Sequence, residues 1–217
     1  MKIPPALAHI RSNYTLQALS KASVLADPLE QFHKWMHEAL AAELEEPTAM
    51  VLSTANAEGR PSGRVVLLKG IEDKGFVFFT NYASRKGQDL EQNHLAALTF
   101  FWAGLERQVR IEGRISRLPE AASEAYFHSR PAGSQIGAWV SPQSQEVENR
   151  RVLEDSEIAF EEKFKDEAVI PRPPHWGGYL LLPDHIEFWQ GRPNRLHDRI
   201  VYEKQAGEAW KIKRLAP

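Results

Sequence analysis

The sequence predicts a mainly β protein, antiparallel in its strand connections, with helices at the periphery. Short segments rich in Val, Leu and Phe recur at hairpin spacing, separated by turn chemistry such as Asn56-Ala57-Glu58-Gly59 and Glu72-Asp73-Lys74-Gly75. Helical patterns are inserted between groups of strands, so the strand–helix alternation of a doubly wound fold is missing. No Gly-x-Gly-x-x-Gly turn or Walker loop is present to anchor such a fold.

Residues 1–26 are weakly patterned and are expected to be a mobile N-terminal segment or to lie over another surface; residues 27–217 then form a single domain. Asp27-Pro28-Leu29-Glu30 starts a helix, with Asp27 as cap and Pro28 suited to the first helical position. Leu29, Phe32, Trp35, Met36, Ala39 and Leu40 recur at helical spacing, and Pro47 marks the stop. Strands are predicted over 49–55, 62–71 and 75–80, then a short helix over 85–93. A strand pair over 95–103 and 106–117 surrounds Gly104; two helices follow, over 119–128 and 145–165. Pro171-Arg172-Pro173-Pro174 is a linker, and strands over 176–182, 185–190, 199–203 and 210–213 close the chain.

A chain of 217 residues is long enough to bury a core without covalent staples. The net charge of −2 supplies no basic field for nucleic acid, so any anion site must be built from a few placed cations. With no cysteine, disulfides, thiolate nucleophiles and cysteine zinc sites are excluded. No apolar run reaches the ~20 residues of a membrane span, and Met1-Lys2-Ile3-Pro4-Pro5 lacks a signal-peptide core. The expectation is a cytoplasmic protein without membrane or nucleic-acid partners.

His33 and His37 stand four apart on the first helix, a spacing that can hold a metal, but Lys34 occupies the place of a zinc protease's Glu and no carboxylate cluster follows. No metal is expected. No Gly-x-Ser-x-Gly elbow exists, and His197-Asp198 are adjacent in sequence, which on a strand points them to opposite faces, against a Ser–His–Asp relay. What survives is a set of cations in strand and turn contexts. Arg64 and Lys69 flank Val65-Val66-Leu67-Leu68; Arg85-Lys86 follows Ser84 at a helix start; Arg130 lies beside Ser129 and near Ser134; Arg195 and Arg199 bracket His197. Each alone reads as a surface ion pair. Together they read as anion sites, because apolar strand interiors do not carry Arg and Lys without an anionic partner. Two phosphate-type clusters point to a phosphorylated cofactor and a phosphorylated substrate. Arg64 and Lys69 are five apart, so strict alternation sends them to opposite faces; either a bulge intervenes or they contact different groups.

These cations fall within longer blocks: Asp27-Pro28-Leu29, Pro47-Thr48-Ala49-Met50, Arg64-Val65-Val66-Leu67-Leu68-Lys69, Thr80-Asn81, Ser84-Arg85-Lys86 and Leu105-Glu106-Arg107-Gln108-Val109. They continue with Tyr126-Phe127-His128-Ser129-Arg130-Pro131, Ser134-Gln135-Ile136-Gly137-Ala138-Trp139, and Ile186-Glu187-Phe188-Trp189-Gln190-Gly191 leading into Arg195-Leu196-His197-Asp198-Arg199. In all of them, from about Arg11 to Pro217, the chain closely resembles the pyridoxine/pyridoxamine 5′-phosphate oxidases. The resemblance implies an FMN-binding split β-barrel and a homodimer with FMN held between subunits. It implies oxidation of pyridoxine 5′-phosphate or pyridoxamine 5′-phosphate to pyridoxal 5′-phosphate, in vitamin B6 biosynthesis and salvage. Hydride would pass from C4′ to flavin N5, and O2 would be reduced to hydrogen peroxide.

Carried over by position, the resemblance assigns FMN contacts to Arg64, Val65, Val66, Leu67, Leu68, Lys69, Phe79 and Thr80. Further FMN contacts are Arg85, Lys86, Gln108, Gln143, Ser144, Trp189 and Arg199. It assigns the substrate's phosphate to Lys69, Tyr126, Arg130 and Ser134, and its pyridine ring to the catalytic pair Arg195 and His197. Near the N-terminus the family carries an Arg-Arg-Glu-Tyr-like element over the active site. Here Arg11 and Tyr14 remain as substrate contacts, but Ser12 and Asn13 change the charge between them. Phe79 stands where many members have Tyr. Two other readings are a different flavin split-barrel oxidoreductase such as a flavin reductase, and a non-catalytic FMN or pyridoxal phosphate carrier. The first is opposed by the Tyr126, Arg130 and Ser134 set, the second by the presence of both Arg195 and His197.

Overall fold

A computed structural model describes residues 13–217; Arg11 lies outside them. The strands are β1 (Ala49–Ala55), β2 (Pro61–Leu67), β3 (Gly70–Glu72), β4 (Gly75–Asn81), β5 (Leu95–Trp102), β6 (Arg107–Arg117), β7 (Trp176–Gln190), β8 (Asp198–Lys204) and β9 (Trp210–Leu215). The helices are α1 (Pro28–Ala41), α2 (Arg85–Gln92), α3 (Glu120–Ser129), α4 (Ala132–Val140) and α5 (Arg150–Phe164). The hydrogen-bonded order is β2-β1-β5-β6-β7-β4-β3, with β8 on β7 and β9 on β8. The chain divides into two compact units. The first takes Met1–Pro47, Thr99–Ile111 and Asp184–Pro217; the second takes Thr48–Leu98 and Glu112–Pro183.

In the first unit, α1 begins as the sequence predicts. The Asp27 carboxylate accepts from the amides of Leu29 and Glu30, and Pro28 occupies the first turn. Phe32, Trp35 and Ala39 are buried, with Phe32 against Phe100 (5.1 Å) and Trp35 edge-on to Phe188 (5.1 Å). The helix ends at Ala41, well before Pro47. Glu43 turns left-handed (φ 51°), and the amides of Glu43 and Leu44 close back on the carbonyls of Leu40 and Ala39, which terminates the helix without a proline. Residues from Tyr14 onward lie on this unit. The Leu16 amide donates to the Glu106 carboxylate, the Leu19 amide to Asp198, and the Tyr202 hydroxyl to the Leu25 carbonyl. β8 pairs antiparallel with β7 and β9, Phe188 opposite Ile200 and Tyr202 opposite Ile212.

In the second unit, β1 and β2 form a hairpin in which Leu52 faces Arg64 and Val51 faces Val65. The predicted strand over 62–71 is two strands. The Leu68 amide donates to Thr48 on the β1 side, whereas the Lys69 amide donates to Val77 on β4. The chain changes partner between these two residues, which removes the alternation problem posed by Arg64 and Lys69. The predicted strands over 176–182 and 185–190 are instead one strand, β7. It pairs with β4 through Leu181 and with β8 from His185, so Pro183, which has no amide hydrogen, falls between the two registers. α4 was not anticipated, and the predicted helix over 145–165 starts only at Arg150, where the Asn149 side chain caps the Val152 amide.

Candidate functional site

The second unit contains a cavity of about 1030 Å³. Arg64 reaches it from β2, Lys69 from the β2–β3 break, Arg85 and Lys86 from the first turn of α2, and Arg130 from the C-terminal end of α3. Arg64 is braced: its guanidinium donates to the Leu52 carbonyl (3.0 Å), the Thr54 hydroxyl (2.8 Å) and the Ser62 hydroxyl. Buried Asp89 lies 3.9 Å away and is itself bound by Thr54 and Ser62. Burial holds the Arg64 pKa below its usual value; Asp89 opposes that shift and Arg85 adds to it.

Lys86 is the sharper case. Its ammonium is buried and donates to three neutral oxygens, those of Thr80 (3.1 Å), Ser84 (3.2 Å) and Gln143 (2.7 Å). Burial, and secondarily the Arg64 charge, push its pKa down to about 8. Arg130 is also lowered by burial; its Nη1 is buried without a hydrogen-bond partner among the described residues. Buried cations without a carboxylate are costly, and the cost is removed by a bound anion. A phosphate fits this donor set, helped by the free amides at the start of α2.

The other walls are aromatic and polar. Phe79 on β4 stacks on Tyr126 of α3 (3.8 Å, 17°) and lies parallel to Trp176 at the start of β7 (5.5 Å, 13°). Ser134 stands in the first turn of α4; Gln143 and Ser144 follow that helix, with Ser144 left-handed at φ 70°. Thr80, Val65, Val66 and Leu67 complete the predicted set in this cavity. Leu68 is turned into the core, 8 % exposed. The sequence reading missed Asp89 and Trp176. A carboxylate on the buried face of a short helix signalled the first; the second was absorbed into a strand.

The remaining predicted residues belong to the first unit: Tyr14, Gln108 on β6, Trp189 at the end of β7, and Arg195, His197 and Arg199 around the start of β8. The His197 ring lies 4.7 Å from Trp189 and 5.8 Å from Tyr14, whose own ring packs on Gly191. His197 Nδ1 accepts from the Arg192 amide (3.1 Å), and burial followed by the Arg195 charge lowers its pKa. Neutral His197 therefore carries its proton on Nε2. Arg195 is held left-handed (φ 61°) after Asn194 (φ 57°), backbone strain of the kind stored at functional sites. Arg199 forms a two-pronged pair with buried Glu187 (2.9 and 2.7 Å) and donates to the Ala216 carbonyl. Asp198 is engaged by the Leu19 amide and Arg214, not by His197.

Residues 36–160 match the family model described as pyridoxamine 5′-phosphate oxidase, and residues 176–217 match the pyridoxine 5′-phosphate oxidase C-terminal dimerisation region. Among solved structures, PhzG from Burkholderia lata, in complex with tetrahydrophenazine-1-carboxylic acid, superposes with a TM-score of 0.86 at 30% identity, covering 93% of this chain and 99% of its own. A pyridoxamine 5′-phosphate oxidase-related, FMN-binding protein from Nostoc punctiforme shares the fold at a TM-score of 0.68 and 17% identity, over 86% of this chain and 97% of its own. By fold the chain is an antiparallel split β-barrel protein. Curated pyridoxine/pyridoxamine 5′-phosphate oxidases from Cupriavidus taiwanensis and Salinibacter ruber are each 56% identical to it, over 97% of this chain and 99% of theirs. The chain is an enzyme of the pyridoxine/pyridoxamine 5′-phosphate oxidase family.

Proposed function

We propose that the protein is a homodimeric FMN-dependent oxidase that converts pyridoxine 5′-phosphate or pyridoxamine 5′-phosphate to pyridoxal 5′-phosphate, consuming O2. The observation that carries this reading is the cavity's cation set, above all buried Lys86 and the Nη1 of Arg130, unpartnered among the described residues, which together favour phosphorylated ligands. Arg64, Arg85 and Lys86 would hold the FMN phosphate, with Thr80 and Gln143 beside them. Lys69, Arg130, Tyr126 and Ser134 offer two cations and two hydroxyls to the substrate's phosphate. Bound FMN would supply the two-electron acceptor for hydride from C4′ and pass the electrons to O2, giving hydrogen peroxide.

Arg195 and His197 are assigned to the pyridine ring. The flat Arg195 guanidinium can stack on it and fix C4′ for transfer. With Nδ1 occupied by the Arg192 amide, neutral His197 meets the ring oxygen as a hydrogen-bond donor rather than as a base. With the pyridoxine form, one O2 is consumed per pyridoxal 5′-phosphate and peroxide. With the pyridoxamine form, one water also enters and ammonia leaves. The test is O2 uptake by the purified protein supplied with FMN. Uptake driven by pyridoxine 5′-phosphate, with stoichiometric pyridoxal 5′-phosphate, is expected; uptake driven only by NAD(P)H would replace this reading with a flavin reductase.

A further inference from the structure

Trp176 is the first residue of β7, 7% exposed, and it lines the cavity beside Arg130. It is firmly held. Its amide donates to the Pro173 carbonyl (3.0 Å), its carbonyl accepts from Arg172 Nη1 (2.5 Å), and its backbone pairs with Asn81. Arg172 in turn pairs with Glu120 (3.0 Å) and Glu124 (2.8 Å) on α3, the helix that ends at Arg130. The indole is also wedged, parallel to Phe79 and with Phe127 edge-on at 5.3 Å. The Arg130 guanidinium carbon lies 4.6 Å from the indole centroid. Arg130's backbone is fixed, with its carbonyl accepting from Gln135 Nε2 (2.8 Å), yet its Nη1 has no partner among the described residues.

From this geometry we propose that Trp176 is a positioning residue for phosphate recognition: its indole face carries the Arg130 guanidinium and sets the plane in which that group meets the substrate's phosphate. A guanidinium laid on an aromatic face keeps its N–H groups directed outward in its own plane, ready for two-point contact with an oxyanion, and the ring quadrupole supports the charge while the site is empty. A lysine could not be oriented this way. Pinning of Trp176 by Arg172 to the helix that bears Arg130 keeps plate and guanidinium in one frame. The inference rests on the proposed function, because it takes Arg130 as the phosphate contact.

The test compares Trp176→Leu and Trp176→Phe with the wild-type holoenzyme, using pyridoxine 5′-phosphate, unphosphorylated pyridoxine, and inorganic phosphate as competitive inhibitor. For Trp176→Leu the expected result is a rise of about tenfold in KM for the phosphorylated substrate, a matching loss of phosphate inhibition, and a kcat and FMN content that change far less. The preference for the phosphorylated over the unphosphorylated substrate should fall by about the same factor. Trp176→Phe, which keeps a smaller aromatic face and guards against a folding failure of the leucine variant, should lose about threefold. An unchanged preference in Trp176→Phe, or equal losses for both substrates in Trp176→Leu, would overturn the proposal by making Trp176 a packing residue only. A wild-type protein that fails to oxidise pyridoxine 5′-phosphate would sink the proposed function instead. Calorimetric binding of inorganic phosphate to wild type and Trp176→Phe would then still decide the role of Trp176.

Discussion

Lys86 is the residue whose surroundings most require an anion. Its ammonium has three neutral acceptors and a pKa near 8, set by burial and by Arg64. The sign of the linkage follows from that depression. Between about 8 and its ordinary 10.5 the unfolded chain holds the proton and the folded, ligand-free chain does not, so this group's penalty on folding is present below 8 and is relieved as pH rises. A phosphate acts in the opposite sense, favouring the charged form. FMN affinity of the cofactor-free protein is therefore expected to fall as pH rises through about 8. Flavin fluorescence titrations across that range check this, and a flat profile would remove Lys86 from the phosphate's surroundings. In the first unit, His197 and Arg195 carry a different expectation. Replacing either with Ala should reduce kcat by about a hundredfold or more while FMN content stays near wild type. Equal turnover would refute their roles at the pyridine ring.

At the scale of elements, the proposed phosphate site depends on the placement of α2, which brings Arg85 and Lys86 to the cavity. Gly87 sits one residue after Lys86, and a Cβ there would fall on the carbonyl oxygen of Tyr82. The helix start can approach the preceding turn that closely only without a side chain. Gly87→Ala should push α2 outward, lowering the melting temperature and weakening FMN binding together; a variant with wild-type affinity would show that the first turn is not part of the grip. Much of this architecture was legible in the sequence. Apolar patterning and turn residues placed β1 to its residue, and Asp27-Pro28 placed the start of α1. What was not legible depended on partners rather than on local pattern. The run over 62–71 looks uninterrupted, because a change of hydrogen-bonding neighbour at Leu68 and Lys69 leaves no mark in composition. Pro183 looked like a break, because the sequence does not show that it falls between two registers. No helix was predicted over 132–140; Pro131 immediately precedes α4, and Gly133 and Gly137, weak helix formers, lie in it where a Cβ would meet nothing.

At the scale of the whole molecule, site chemistry was more legible than site geometry. Cations interrupting apolar strands suggested anion sites, and the second unit's cavity gathers Arg64, Lys69, Arg85, Lys86 and Arg130 from four separate places along the chain. Trp176 stayed hidden because an aromatic residue at a strand start also reads as core, and its place 4.6 Å beneath the Arg130 guanidinium depends on the fold. Arg199 was read as a flavin contact, and its pairing with Glu187 depends on the β7–β8 register that brings Trp189 opposite it. In the proposed reaction one protein binds both a flavin and a phosphorylated pyridine so that electrons pass between them. The visible spectrum of the purified protein before and after anaerobic addition of pyridoxine 5′-phosphate tests it most directly. A flavin spectrum that bleaches on addition, and returns with pyridoxal 5′-phosphate formed when air is admitted, is the expected result. A protein that stays colourless after incubation with FMN, or a flavin spectrum that pyridoxine 5′-phosphate and pyridoxamine 5′-phosphate both leave unchanged, would contradict it.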